Sequence, residues 1–285
     1  MNKKAAAWSL GAAARVPAPL PIIEVAHLDK VFVTVRNERI NALKDISFDV
    51  AEGEFVTVVG PSGCGKTTLL KILAGLVTAS SGAVRVAGTA VASPRRDIGI
   101  VFQNPVLLPW RTVMENVLLP AEVQGIPRGR ARDRAHQLLE MVGLGDFADK
   151  YPMELSGGMQ QRAAISRALV SDPRLLLMDE PFGALDAMTR EQMNLDLLRI
   201  WRESAKTVLL ITHSIPEAVF LGDRVAVMTP RPGRIARIID IPIPRPRSIE
   251  TMGDPMFGHL TGEIRKLLYG GAEPAPLALA GGGIS

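Results

Sequence analysis

An eight-residue segment, GPSGCGKT at positions 60–67, constrains this sequence more than any other feature. It matches the phosphate-binding pattern G-x-x-x-x-G-K-[ST]. An apolar run, Phe55–Val59, precedes it and predicts a buried strand, and a helical pattern from Lys66 to Leu76 follows it. A strand, a glycine-rich loop and a helix in this order place the positive end of the helix beside the loop, where it favours an anion. The segment therefore predicts a nucleoside triphosphate site.

The chemistry of the loop residues supports this prediction. Glycines allow backbone N–H groups to turn inward around a phosphate, and Lys66 supplies a positive charge for the β- and γ-phosphates. The Thr67 hydroxyl can hold Mg²⁺. The loop residues thus predict a nucleoside triphosphate together with Mg²⁺. The candidate phosphate-binding residues are Gly60, Pro61, Ser62, Gly63, Cys64, Gly65, Lys66, Thr67 and Thr68.

The bulk composition limits the classes to which the protein can belong. With 285 residues and 47% hydrophobic content, the chain can bury a full core, as one large domain or two subdomains. A net charge of +4 is too small an excess to argue for nucleic acid as a partner. No apolar run approaches the roughly 20 residues that span a bilayer.

The one cysteine, Cys64, excludes an internal disulfide and favours a reducing compartment. Its place at a helix N-terminus would lower the pKa of the thiol and suit a redox switch. The simpler interpretation is that a small residue fills a position in the loop.

Three apolar runs that predict central strands each end in polar residues. The end residues are Gln103, Asp179 with Glu180, and His213. Fully apolar short runs suit parallel strands that are covered on both faces, and ligands bind such sheets at the carboxyl ends of the strands. We therefore expect these side chains to converge on the edge where the phosphate loop lies.

Four further motifs follow the phosphate loop in the sequence. They are LSGGMQQR at 155–162, RLLLMDEP at 174–181, GALD at 183–186 and TH at 212–213. Together with the loop, they resemble the ATP-binding subunit of ABC transporters in order and spacing.

The resemblance implies an α/β fold, a P-loop ABC ATPase cassette with a mixed central sheet, an antiparallel β subdomain and a helical subdomain. The cassette is expected over residues 23–245, with the helical subdomain at about 104–170. We expect a disordered N-terminal tail at 1–22, and a C-terminal helix with a disordered tail at 246–285.

The same resemblance implies roles for the strand-end residues. Asp179 would hold the Mg²⁺ shell, and Glu180 would polarise the attacking water as general base. Gln103 would reach the metal and the water, and His213 would contact the γ-phosphate. The alternative for Glu180 is a carboxylate that caps a helix.

The LSGGMQQR segment, by the resemblance, acts across a subunit boundary. Ser156 can cap the helix that follows it, and the N-terminus of this helix, with Gly157 and Gly158, forms a second anion site. In the family this segment, which includes Gln160, closes on the ATP of a second subunit in a head-to-tail dimer. Asp186 would lie at the same contact.

Phe32 occupies the place where the family usually has an aromatic residue that stacks on adenine. The alternative is an inward-facing strand residue.

The segment NPVLLPWRTVMENVLLP after Gln103 is similar to the nitrate, sulfonate and taurine importer ATPases. The implied function is hydrolysis of MgATP at the cytoplasmic face of the membrane, which drives uptake of a small polar or anionic solute. The implied partners are a second ATPase subunit, membrane permease subunits and a solute-binding protein.

The permease is expected to contact Asn104–Trp110, and the alternative for this segment is core packing of the helical subdomain. The arginine-rich stretch Arg224–Arg247 is interpreted as a solvated strand face. The alternative is a surface that lies near lipid headgroups. A competing function is that of a soluble, non-transport ABC ATPase that acts on nucleic acid or another complex.

Overall fold

A computed structural model describes residues 21–270 as ten strands and seven α-helices. Of the tail predicted at 1–22, residues 1–20 lie outside the described residues, and so do residues 271–285 of the segment predicted at 246–285. In chain order the elements are β1 (Ile23–Val33), β2 (Arg39–Val50), β3 (Phe55–Val59), α1 (Lys66–Leu73), β4 (Ser81–Val86), β5 (Thr89–Ala90), β6 (Ile98–Val101), α2 (Val113–Gln124), α3 (Arg128–Met141), α4 (Gly157–Leu169), β7 (Leu175–Asp179), α5 (Ala187–Ser204), β8 (Thr207–Thr212), α6 (Ile215–Leu221), β9 (Arg224–Met228), β10 (Ile235–Asp240) and α7 (Pro255–Tyr269).

The central sheet has six strands in the order β10-β9-β3-β8-β7-β6. Five of them run parallel, and β10 pairs antiparallel with β9 at one edge. Every residue of β3, β7 and β8 is buried, as expected for parallel strands covered on both faces. The carboxyl ends of these strands therefore meet at one edge, which β3 leaves through the phosphate loop.

Alternate side chains of the central strands supply two separate cores. In β3, Val56 and Val58 point to one core, and Phe55 and Val59 point to the other. This division follows from the two-residue period of a strand. A second sheet is antiparallel, with the strand order β2-β1-β4-β5. The core that contains Val56 and Val58 lies between this sheet and the central sheet and includes side chains of α1. The second core lies under the remaining helices.

The region predicted as a helical subdomain contains three helices, α2, α3 and α4. A capping box begins α2: the Thr112 hydroxyl accepts from the Glu115 N–H, and the Glu115 carboxylate accepts from the Thr112 N–H. Ser156 caps α4 and accepts a hydrogen bond from the Met159 N–H at 3.3 Å. The mixed sheet, the antiparallel sheet and these helices confirm the predicted fold class.

The helix after the phosphate loop ends at Leu73, three residues before the predicted end at Leu76. Gly75 adopts a left-handed conformation with φ near 73°, and its N–H bonds to the Ile72 carbonyl. The chain therefore turns away before the apolar pattern ends, as glycine at a helix C-terminus permits.

The C-terminal helix α7 folds back onto the helical core through Phe257, Leu260 and Ile264. Within residues 21–270, the helices all lack the combined length and hydropathy that a membrane crossing requires.

The arginine-rich stretch is only partly a solvated strand face. Arg237 on β10 is exposed and pairs with Glu263 at 2.6 Å, as such a face would require. Arg247 is instead 6% exposed. Its guanidinium donates to backbone carbonyls at the end of α6 and in the segment that follows β10, and burial lowers its pKa to about 10. The acceptors are the carbonyls of Val219, Phe220, Gly222, Ile241 and Ile243. The solvated-face interpretation is therefore wrong for Arg247.

We expect Arg247→Met to lower the free energy of unfolding by about 3 kcal/mol, because several buried carbonyls would lose their donor. Urea denaturation of the full-length chain measures this change. Arg237→Met is the matched control and should change the stability by less than about 1 kcal/mol. If both variants lose the same small amount of unfolding free energy, water or other donors replace the Arg247 guanidinium and the prediction is wrong.

Candidate nucleotide site

The phosphate loop connects the end of β3 to the start of α1. Gly65 precedes the helix with φ near 108°, a left-handed conformation that side chains with a β-carbon rarely adopt. A β-carbon there would also lie 2.9 Å from the Ala42 carbonyl oxygen, so the loop packs directly against β2.

A cleft of about 400 Å³ lies above the loop. Its walls combine the loop with residues from both sheets. The lining residues are Phe32, Ile40, Ala42, Ser62, Gly63, Gly65, Lys66, Thr67, Thr68, Glu180 and Arg231. The cleft thus brings most of the predicted loop residues together with Phe32 and Glu180.

Lys66 lies at the floor of this cleft and is 5% exposed. Its ammonium donates to the carbonyl of Gly60 at 2.8 Å and of Pro61 at 3.1 Å. The nearest carboxylate oxygen, on Glu180, is 3.6 Å away. The amino group is therefore held in place at the point where an anion would enter.

Asp179, the last residue of β7, faces the start of α1. Its Oδ1 accepts a hydrogen bond from the Thr67 hydroxyl at 3.0 Å. Burial raises the pKa of Asp179, and the hydrogen bond from Thr67 opposes this effect. Two oxygen ligands of the kind that Mg²⁺ prefers thus lie side by side.

Glu180 follows Asp179 and turns into the cleft. Its backbone has φ near 44°, an unusual value for a residue other than glycine, and its N–H bonds to the Ile211 carbonyl at 2.8 Å. Backbone of this kind clusters at active sites. The carboxylate lies 2.8 Å from His213 Nδ1, so the ends of β7 and β8 meet through these two side chains. The alternative that Glu180 caps a helix is wrong, because its carboxylate contacts His213 and Lys66.

Gln103 reaches the same edge from the end of β6. A β-carbon built on Gly183 would lie 3.2 Å from the Gln103 amide nitrogen and 3.6 Å from the Glu180 carboxylate. The side chains of Gln103 and Glu180 therefore both lie beside Gly183, and Glu180 also contacts His213.

Phe32 is 39% exposed, which excludes the interpretation as an inward-facing strand residue. The Lys30 ammonium lies 4.8 Å from the centroid of its ring. The ring lines the same cleft as Glu180.

Cys64 is buried, and its burial raises the pKa of the thiol. The expectation that the helix N-terminus lowers this pKa is wrong, since burial outweighs the nearby positive charge of Lys66. The side chain fills the loop interior, in agreement with the simpler interpretation.

The LSGGMQQR residues and Asp186 do not line this cleft. Ser156 and Gly157 are exposed, and a β-carbon on Gly158 would lie 3.1 Å from Thr189 on α5. Gln160 donates its side-chain amide to the Pro152 and Leu155 carbonyls and so holds its own loop. Asp186 caps α5 through Thr189. These residues form a second surface, separate from the phosphate loop of the same chain.

Comparison with known proteins shows to which family a chain with this site belongs. Residues 43–183 match the ABC transporter family. A taurine import ATP-binding protein of Rhizobium johnstonii is 47% identical over 255 residues, 87% of this chain and 97% of its own length. The chain belongs to the ABC transporter ATP-binding family. An uncharacterized ABC transporter ATP-binding protein of Methanocaldococcus jannaschii is 51% identical, covering 79% of this chain and 84% of its own.

A nitrate import ATP-binding protein of Synechocystis sp. is 44% identical over 87% of this chain and 95% of its own. Among solved structures, a dimeric ATP-binding cassette in a post-hydrolysis state, bound to ADP and Pi, matches with a TM-score of 0.68. It shares 35% identity and covers 77% of this chain and 98% of its own.

The structure of this ABC cassette adds two residues that sequence reasoning missed. Glu217 on α6 is 5% exposed, and within residues 21–270 its Oε1 has no hydrogen-bond partner. Burial raises its pKa. Arg190 on α5 donates to the carbonyls of Phe182 and Leu185, in the segment that follows Glu180. Arg190 thus holds the segment that leads to Asp186, and Glu217 lines a small pocket with Glu180 and His213. The one sequence signal for a buried Glu217 is that it is a charged residue within the otherwise apolar α6 sequence IPEAVFL.

We expect Glu217 to make the stability of this ABC cassette fall as pH rises. A carboxyl with a raised folded pKa binds its proton more tightly in the folded state, so unfolding becomes easier as pH rises above its ordinary value of 4.5. Glu217→Gln removes this effect, and the variant should gain stability relative to the wild type with increasing pH.

Urea denaturation from pH 5 to pH 8 measures this difference in unfolding free energy. Glu203→Gln, an exposed change on α5, is the control and should follow the wild type. A constant difference between Glu217→Gln and the wild type across this range would contradict the raised pKa.

Proposed function

We propose that this chain hydrolyses MgATP as the ATP-binding subunit of an ABC importer. One observation carries the proposal: the Glu180 carboxylate lies between the Lys66 ammonium of the phosphate loop and the His213 ring. A carboxylate in this place can accept a proton from a water that attacks the γ-phosphate held by Lys66. Such general-base catalysis typically contributes about 10²–10⁴ in rate.

Mg²⁺ fits the residues beside the loop. Thr67 and Asp179 would hold the ion, and Gln103 would reach both the ion and the attacking water. Mg²⁺ commonly binds through one or two carboxylates together with phosphate oxygens, so a dense cluster of acidic side chains is not required. When bound, the ion would neutralise charge on the phosphates.

ATP binding completes the site across two subunits. Ser156, Gly157 and Gly158 lie at a helix N-terminus that is suited to an anion, and they do not line the cleft of their own chain. A second copy in head-to-tail orientation would bring this N-terminus to the ATP, with Asp186 and Gln160 at the contact. The dimeric cassette of known structure supports this arrangement. Met153 and Met188, exposed beside these residues, supply apolar area for the contact.

The relatives named for taurine and nitrate import support a small polar or anionic solute as cargo. The chain would act at the cytoplasmic face of the membrane with permease subunits, and a solute-binding protein would deliver the cargo. No observation favours the competing function of a soluble ATPase that acts on nucleic acid.

The segment Asn104–Trp110 is the proposed contact with the permease. Trp110 is 71% exposed and Val106 is 61% exposed, whereas Leu107 packs against the helical core. Core packing therefore accounts for Leu107 but not for Trp110.

Hydrogen bonds from two helices, α2 and α4, also hold the backbone of Asn104–Trp110 in place. Asn116, fully buried on α2, accepts from the Leu108 N–H and donates to the Leu108 carbonyl. Arg167 on α4 donates to the carbonyls of Pro105 and Val106. A rigid segment with an exposed tryptophan suits an interface anchor.

We expect Glu180→Gln to bind ATP while turnover falls by about 10²–10⁴, because the amide cannot accept the proton from water. Phosphate release measures turnover, and size-exclusion chromatography in ATP should show a trapped dimer. Glu203→Gln is the surface control. Unchanged phosphate release in Glu180→Gln would remove Glu180 from the role of base.

We expect Trp110→Ala to weaken assembly with the membrane subunits and to leave basal hydrolysis nearly intact. The assay is co-purification of a tagged subunit in mild detergent, with mass spectrometry of the retained proteins. Val123→Ala, another exposed apolar residue in the helical subdomain, is the matched control. Normal retention of a polytopic membrane protein by Trp110→Ala would place the permease contact elsewhere.

A further inference from the structure

The turn at residues 229–233, between β9 and β10, packs directly onto the phosphate loop. The Gly233 N–H donates to the Ala42 carbonyl at 3.0 Å, and the Lys44 N–H donates to the Gly233 carbonyl at 2.9 Å. A β-carbon on Gly233 would clash with the carbonyl oxygen of Cys64. The turn is therefore fixed to β2 and to the phosphate loop at the same time.

Arg231 extends from this turn into the nucleotide cleft. Its Nε donates to the carbonyl of Gly63 in the phosphate loop at 3.2 Å, and its side chain lines the cleft with Lys66 and Phe32. Among residues 21–270, no carboxylate oxygen lies within 4.0 Å of the Arg231 guanidinium. Its charge is thus left for a ligand.

The chemistry of the cleft indicates which part of a ligand Arg231 meets. Arg231 donates to Gly63 and so lies beside the loop that would hold phosphates, whereas Phe32 is the cleft residue that would stack on a base. A guanidinium presents several N–H donors in one plane and pairs with phosphate oxygens through charge-assisted hydrogen bonds. Because the buried Lys66 and the exposed Arg231 both line the cleft, a triphosphate bound there would meet two cations.

We propose that Arg231 is a nucleotide-binding residue of this cassette. Its Nε fixes the phosphate loop through Gly63, and its terminal nitrogens donate to phosphate oxygens of ATP. The proposal rests on the nucleotide site described under the proposed function and adds a contact from outside the loop and the strand-end residues.

The test is calorimetric titration of MgATP and MgADP into the full-length chain, with Glu180→Gln present throughout to prevent turnover. Arg231→Met should bind ATP about ten-fold more weakly, which corresponds to about 1.4 kcal/mol. Arg231→Lys keeps the positive charge, so its affinity for ATP should lie between that of the parent and that of Arg231→Met. Arg234→Met, an exposed change one residue beyond Gly233, should bind ATP like the parent.

Thermal unfolding separates a contact with the nucleotide from a tether of the loop alone. A contact leaves the melting temperature of the nucleotide-free Arg231→Met chain near that of the parent and reduces the shift that ATP produces. The proposal is overturned if Arg231→Met binds ATP as tightly as the parent. It is also overturned if Arg231→Lys and Arg231→Met bind equally weakly and both melt lower without nucleotide.

The parent in these titrations is the Glu180→Gln protein with Arg231 unchanged. Its own binding of ATP shows whether the nucleotide site exists, separately from the role of Arg231. If the parent binds no ATP, or if Lys66→Ala binds ATP as the parent does, the nucleotide site fails as proposed. If the parent binds ATP and Lys66→Ala does not, the comparison of the Arg231 variants tests Arg231 alone.

Discussion

A buried ammonium group organises the functional edge of this protein. Lys66 is almost fully buried and is held by two carbonyls of its own loop, with the Glu180 carboxylate just beyond direct hydrogen-bond distance. A buried cation is costly unless polar groups surround it. The loop must therefore curve around Lys66, which requires the left-handed Gly65 and its close packing against β2. A polyphosphate adds a counter-charge to this cation, which gives ATP a physical reason to bind here.

The parallel strands bring the reacting groups to that cation. Gln103, Glu180 and His213 come from three strands whose interiors are wholly apolar or nearly so, so the sheet is rigid where it carries them. Behind them, two further polar side chains lie close to the site. Arg190 donates to the carbonyls of Phe182 and Leu185 in the segment after Glu180, and the buried Glu217 lines a small pocket with Glu180 and His213.

The helical subdomain connects two surfaces in the proposed function. Helix α4 begins at Ser156, where the second subunit's ATP would lie, and carries Arg167 near its other end. Arg167 holds the carbonyls of Pro105 and Val106, next to the exposed Trp110. A shift of α4 on ATP binding would therefore displace the proposed permease contact as one rigid unit. In the proposed dimer, ATP would contact both subunits only in the closed state and would bias such a two-state change toward it.

The sequence by itself predicted the phosphate loop, the covered parallel strands and the polar residues at their ends, because each depends on local spacing and on short apolar runs. It predicted the cap at Ser156 for the same reason. The rest of the fold class followed from the resemblance of the sequence to ABC transporter ATP-binding subunits. Tertiary structure alone decided the rest. The pKa of Cys64 rises because other elements bury it, Arg247 is buried because α6 offers it carbonyls, and Arg231 meets the phosphate loop across about 170 residues of chain. Burial and contacts between distant segments are set by packing, which no local pattern records.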